Sequence, residues 1–92
     1  LVGHVGDGNF HFGYLIDPAS PTERGQAEQL NHRLVARALQ LGGTCTGEHG
    51  VGIHKMGFLR EEAGEGAVGV MRAIKQALDP KNIHNPGKIF SA

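Results

Sequence analysis

Cysteine is almost absent from this sequence. Cys45 stands alone, which excludes an internal disulfide and any CxxC zinc module and is compatible with a reducing compartment. A lone cysteine is more often a small buried hydrophobe than a nucleophile, and Cys45 is read that way. No basic run occurs, and nine Lys and Arg balance nine Asp and Glu. The phosphate-tracking surface of a nucleic-acid binder is therefore missing, and no nucleic acid is expected as a partner. No apolar stretch approaches the ~20 residues of a membrane span, and the sequence shows no basic-then-apolar leader. The expected location is cytoplasmic or peripheral to the inner membrane. Internal repeats and low-complexity tracts are absent too, and so is an initiator Met: the chain starts at Leu1 and enters at once what reads as a strand. That opening leads us to expect a segment upstream.

Ninety-two residues make one small domain at most. A chain of this length buries only about 60 to 65% of the surface it exposes when unfolded. Ordering costs of roughly 1.5 kcal/mol per residue nearly cancel apolar burial at about 25 cal/mol per Å². Either self-association, as a homodimer, or a covering neighbour is expected.

What the sequence does hold is a glycine-spaced stretch, Gly43-Thr44-Cys45-Thr46-Gly47-Glu48-His49-Gly50-Val51-Gly52, with a carboxylate and an imidazole side by side. Glycine opens backbone conformations closed to other residues. A plain tether has no use for an ionisable pair at its tip, so the stretch reads as a site on a loop held by a scaffold.

Partners for Glu48 and His49 stand near the start, in Gly3-His4-Val5-Gly6-Asp7-Gly8-Asn9-Phe10-His11. Residues 1–16 read as a β-hairpin turning on Asp7-Gly8, a dipeptide of two-residue turns with positive φ at both central positions. That turn pairs Gly6 with Asn9, Val5 with Phe10 and His4 with His11, placing two imidazoles on one face. The opposite face carries Leu1, Val5, Phe10, Phe12, Tyr14 and Ile16, apolar enough to pack on helices. Gly13 falls on the histidine face opposite Val2 and leaves space beside the imidazoles. Asp7 and Asn9 are explained by turn chemistry.

Ser20-Pro21 reads as an N-cap followed by Pro at the first helical position. Ala27, Leu30, Leu34, Ala38 and Leu41 continue at helical spacing, and Gly42-Gly43 stops the helix. His32 falls off that stripe and reads as a surface residue. Residues 53–59 are ambiguous, and residues 60–66, polar with two glycines, read as a loop or a single helical turn. Ala67, Val70, Met71, Ile74, Ala77 and Leu78 form a second apolar stripe ended by Asp79-Pro80, with Met71 as core filler. Residues 82–90 carry too much Pro and Gly for a regular element but enough apolar residues to dock.

His4, His11 and Glu48 are a metal-ligand vocabulary. Two imidazoles and a carboxylate suit Zn²⁺, Mn²⁺ or Fe²⁺, and three protein ligands leave coordination positions open, as catalysis requires. His49 is then left to move protons, since an imidazole titrates near neutrality. Spacing alone leaves a second reading open, in which the histidines bond nearby backbone or carboxylate groups and decorate a sheet.

These two motifs, followed by Leu78-Asp79-Pro80-Lys81-Asn82-Ile83-His84-Asn85-Pro86-Gly87-Lys88-Ile89-Phe90, resemble the C-terminal end of the FAD-linked oxidases of the vanillyl-alcohol oxidase type, nearest its D-lactate dehydrogenase (cytochrome) and glycolate oxidase branch. The likeness runs over nearly the whole chain. It implies that residues 1–92 are the C-terminal part of a substrate or cap domain whose FAD-binding domain lies upstream. The implied fold is α+β, an antiparallel sheet with helices packed on one face, part of a ferredoxin-like cap. In the related D-2-hydroxyglutarate dehydrogenases the positions matching His4, His11 and Glu48 hold the metal and the position matching His49 is the base.

The reaction so implied is oxidation of a small D-2-hydroxy acid to the 2-oxo acid, with FAD and a divalent metal, Zn or Mn. The electron acceptor is left open, and the fragment alone is expected to be inactive. The resemblance places Asn85 toward the flavin. A relative that handles dicarboxylates has Asn where this chain has Gly13, which implies a smaller substrate such as D-lactate or glycolate. Two further readings stay open: a metal-binding or interaction module without redox chemistry, and a metal-dependent hydrolase.

Overall fold

The computed structural model describes residues 1–90. Two short antiparallel strands and two helices make it an α+β chain: β1 (Val2–His4), β2 (Asn9–His11), α1 (Pro21–Gln40) and α2 (Met56–Leu78). The chain divides into two compact units, Leu1–Glu48 and a second from His49 onward.

The first unit begins with the expected hairpin, but its loop is longer than expected. Val5–Asp7 forms a single 3-10 turn closed by Gly8 N–H donating to Val5 O at 2.9 Å, and Gly8 takes the left-handed conformation at φ 73°. Only the glycine of the Asp7-Gly8 pair has positive φ, so the two-residue turn, which needs it at both positions, does not form. The observed register pairs Val2 with His11, Gly3 with Phe10 and His4 with Asn9. His4 and His11 are therefore not directly opposite. The register has moved by two residues, and because side chains alternate with period two, such a shift keeps every residue on its face. Val2, His4, Asn9 and His11 still share one side. Gly3, at φ 147°, packs so closely on the other strand that an added Cβ would lie 2.7 Å from Phe10 Cα.

The ladder ends at His11, so residues 12–16 are not the strand that alternation suggests, and Gly13 has no partner in it. Phe12 and Tyr14, with ring centroids 5.2 Å apart, instead border a groove with Leu30, Leu34, Arg33 and Arg37 of α1.

Helix α1 follows its local signals closely. Ser20 Oγ accepts from Glu23 N–H at 3.3 Å, and Pro21 occupies the first helical position, where its missing N–H costs nothing. At the other end Gly42 N–H donates to Leu39 O at 3.1 Å and Gly43 N–H to Ala38 O at 2.8 Å, with Gly42 at φ 81°. This paired closure satisfies carbonyls that the last turn leaves orphaned. Cys45, just beyond, is buried, as a lone apolar cysteine should be. His32 is exposed.

In the second unit, helix extends further back than the apolar stripe suggests. Residues 60–66 lie within α2, which is broken at Gly64 (φ 82°, ψ 161°) rather than replaced by a loop. The stripe itself is largely uncovered. Val70, Ile74 and Leu78 are exposed and Met71 is 36% exposed, so Met71 is not core filler, whereas Val68, off the stripe, is 2% exposed. Helical spacing identifies a face, but what covers that face is not a local property.

Candidate metal and substrate site

Glu48 ends the first unit, and its carboxylate faces both hairpin histidines. His11 Nε2 lies 2.9 Å from Glu48 Oε1, in hydrogen-bond contact, and His4 Nε2 lies 3.8 Å from Glu48 Oε2. Each imidazole thus addresses a different oxygen of one carboxylate. The His11 side chain is about a third exposed, the Glu48 side chain somewhat more, and His4 reaches 68% exposure. The edge is open to solvent, as a group that admits a small ligand requires.

Local backbone chemistry brings these groups together. Strand alternation in the observed register keeps His4 and His11 on a common face. The glycine loop is delivered to that face at Gly47. A Cβ there would collide with Asn9 Oδ1, so glycine lets the loop approach the hairpin this closely without displacing the Asn9 side chain. Asn9 is therefore not a turn residue. It lies in β2 opposite His4, and its side chain fills the space beside Gly47. Asn9 Oδ1 and Thr46 Oγ1 are buried without a hydrogen-bond partner among the described residues. A buried unpartnered oxygen is costly, and two of them flank Gly47, the residue before Glu48. Turn chemistry does not account for Asn9; an amide between two histidines and a glycine beside the acid are the signals in the sequence that mark this contact.

His49 opens the second unit and is exposed, followed by Gly50 and Gly52, both at positive φ. Asn85 is exposed in the C-terminal turn at φ 45°, where its carbonyl accepts from Lys88 N–H at 3.4 Å. A Cβ at Gly13 would meet nothing within 4 Å.

The donor set fits a divalent cation. Two imidazole nitrogens and a carboxylate are ligands shared by catalytic zinc and manganese sites; here His11 and Glu48 meet across 37 positions of sequence, and His4 stands further off, beside the other oxygen of that carboxylate.

The model of the FAD linked oxidases, C-terminal domain, matches residues 1–89. The chain is 52% identical over 90 residues to the mitochondrial D-lactate dehydrogenase (cytochrome) of Arabidopsis thaliana, covering 98% of this chain and 16% of that protein. It is 57% identical over 90 residues to the mitochondrial D-lactate dehydrogenase (cytochrome) 1 of Saccharomyces cerevisiae, covering 98% and 15%. Glycolate oxidase subunit GlcD of Bacillus subtilis is 43% identical over 89 residues, covering 97% and 19%. The chain spans less than a fifth of the length of these relatives. No helix among the described residues is long and apolar enough to cross a membrane. With a match over 89 of its 92 residues, the chain belongs to the FAD linked oxidase C-terminal domain family.

Proposed function

We propose that this chain supplies the metal and substrate half of an FAD-dependent dehydrogenase that oxidises a small D-2-hydroxy acid, D-lactate or glycolate, to the 2-oxo acid. The observation that carries the reading is the convergence of His4 and His11 on the two oxygens of Glu48. The names of the relatives support the substrate class.

In this mechanism His4, His11 and Glu48 would hold the metal, and the substrate 2-hydroxyl and carboxylate lie beside them. When bound, a divalent cation supplies Lewis acidity at the 2-hydroxyl, and FAD supplies the two-electron acceptor for the hydride leaving C2. His49 takes the hydroxyl proton on a ring nitrogen, so that the C–O bond gains double-bond character as the C2–H bond breaks. Proton and hydride together account for the two electrons and two hydrogens lost. Gly13 leaves room for a short substrate and offers no side chain to a second carboxylate. Asn85, on the C-terminal turn, is assigned to the flavin side. The FAD-binding domain is assigned to a further part of the same protein, and the final electron acceptor to a separate partner.

The test is spectroscopic and uses the complete protein that carries this chain. Flavin absorbance, stoichiometric divalent metal and D-lactate- or glycolate-dependent dye reduction are expected together. Metal without flavin or dye reduction would favour a binding module, and turnover of an ester or amide without flavin would favour a hydrolase.

A further inference from the structure

The buried charged group among the described residues lies outside the histidine cluster. Asp79, directly after α2, is 8% exposed. Its Oδ1 accepts from Ile83 N–H at 3.0 Å and its Oδ2 from His84 N–H at 3.0 Å, while Lys75 Nζ donates to Oδ2 from one turn earlier in the helix. The same ammonium donates to His84 O at 2.7 Å. Asp79 O accepts from Asn82 N–H at 3.0 Å. One carboxylate and one ammonium thus bind both the N–H and the carbonyl of His84, immediately before Asn85.

The far end of the same turn is tied down independently. Ile89 N–H donates to Gly52 O at 2.7 Å, three residues beyond His49. Ile89 holds φ at 67°, and Asn82 and Asn85 are also in the left-handed region. A β-branched residue is a genuine outlier there, and such strain persists only where the surroundings over-determine the backbone. Residues 84–89 are therefore a short bowed segment pinned at both ends. One pin is the Lys75–Asp79 pair, and the other is the glycine loop that follows His49.

We propose that Asp79, acting with Lys75, is a positioning residue that fixes the turn bearing Asn85 in register with the loop bearing His49. The inference rests on the functional reading above in assigning Asn85 to the flavin side. Neither Asp79 nor Lys75 touches substrate or cofactor in it. They set the backbone from which Asn85 is presented, and the Gly52–Ile89 hydrogen bond couples that backbone to the loop of the proposed base. An ion pair that is partly buried and completed by two backbone N–H groups suits this task, because removing either partner leaves the other with unsatisfied hydrogen-bonding capacity. The carboxyl of Asp79 is accordingly held well below its usual range, first by the hydrogen bond from Lys75 and then by the two backbone donors, against the opposing effect of burial.

The experiment compares Asp79→Asn, Lys75→Met and Lys75→Arg in the complete protein. Lys75→Met is the gentler loss, since it leaves the carboxylate bonded to Ile83 and His84. Two readouts are taken: the rate of tryptic cleavage after Lys81 and Lys88, and the oxidised-flavin spectrum together with kcat and metal content. Cleavage requires local opening of the segment, so Asp79→Asn and Lys75→Met are expected to raise it by about tenfold or more. The same variants are expected to shift the flavin absorbance and lower kcat at unchanged metal content, and Lys75→Arg to restore both. Unchanged cleavage overturns the clamp. Raised cleavage with an unaltered flavin spectrum and kcat overturns the positioning role. Wild-type protein that binds no flavin overturns the functional reading and the flavin part of this inference with it, whereas the proteolysis still reports on the clamp.

Discussion

His11 Nε2 and Glu48 Oε1 lie 2.9 Å apart although they stand 37 positions apart in the chain. A hairpin strand and a glycine loop meet there, and His4 approaches the other oxygen of the same carboxylate. Removing the charge while keeping the shape tests what the carboxylate is for. Glu48→Gln is expected to lower divalent-metal affinity by at least about tenfold to a hundredfold, the range seen when even supporting groups of metal sites are lost. Metal analysis after dialysis against a graded chelator measures it, and full metal retention would speak for a purely structural ion pair.

Gly47 and Asn9 form a steric lock, because the place a Cβ would take at residue 47 is filled by Asn9 Oδ1. Gly47→Ala is expected to displace the Asn9 side chain or the loop from its place and reduce kcat/KM and metal affinity together. Asn9→Ala in the same protein opens the space again and should recover part of the loss. A double-mutant cycle on metal affinity is expected to show coupling of about 0.5 to 3 kcal/mol, as for residues in direct contact. Simple additivity would mean that the two do not meet.

The glycines of α2 divide into two kinds with opposite consequences. Gly64, at φ 82° and ψ 161°, breaks the helix in a conformation L-residues avoid, whereas Gly69 lies in helical backbone with open space where a Cβ would be. Gly69→Ala is expected to stabilise its helix by about 0.4 to 1 kcal/mol, and Gly64→Ala to destabilise by more than that. Hydrogen exchange of the α2 amides reads both. Stabilisation at residue 64 would mean that a continuous helix is the preferred state.

Asp79 makes the C-terminal segment acid-sensitive. Its pKa falls from 3.8 to about 2 in the folded chain, chiefly through the Lys75 hydrogen bond. A depressed folded-state pKa stabilises the ionised form, so the contribution is complete above the unfolded value and is lost as pH falls through the folded one. Protection of the Ile83 and His84 amides, corrected for intrinsic exchange, is expected to hold down to about pH 4 and to collapse toward pH 2. In Asp79→Asn that dependence should vanish. A wild-type profile flat over this window would show that the carboxylate does not hold those amides.

Legibility in the sequence followed the range of the cause. Helix α1 was readable almost to the residue, because the Ser20 cap and the Gly42-Gly43 closure are signals within a few positions of what they specify. The hairpin was readable in parity but not in loop length: Asp7-Gly8 suggests a tight turn, yet Asp7 keeps negative φ and a 3-10 turn widens the loop. The common face of His4 and His11 survives only because the shift is even. Residues 60–66 hid their helix behind charge and glycine, since Leu59 is the one buried residue in the first half of α2. Asp79 looked like a helix stop before Pro80. Its role depends on where Ile83 and His84 return, and no periodicity encodes that.

The most direct measurement is anomalous diffraction at the zinc edge from crystals of the complete protein grown with zinc. The account predicts a peak among His4, His11 and Glu48, with ligand distances of about 2.0 to 2.2 Å. A peak elsewhere with these three side chains unliganded, or none at saturating zinc, would contradict it.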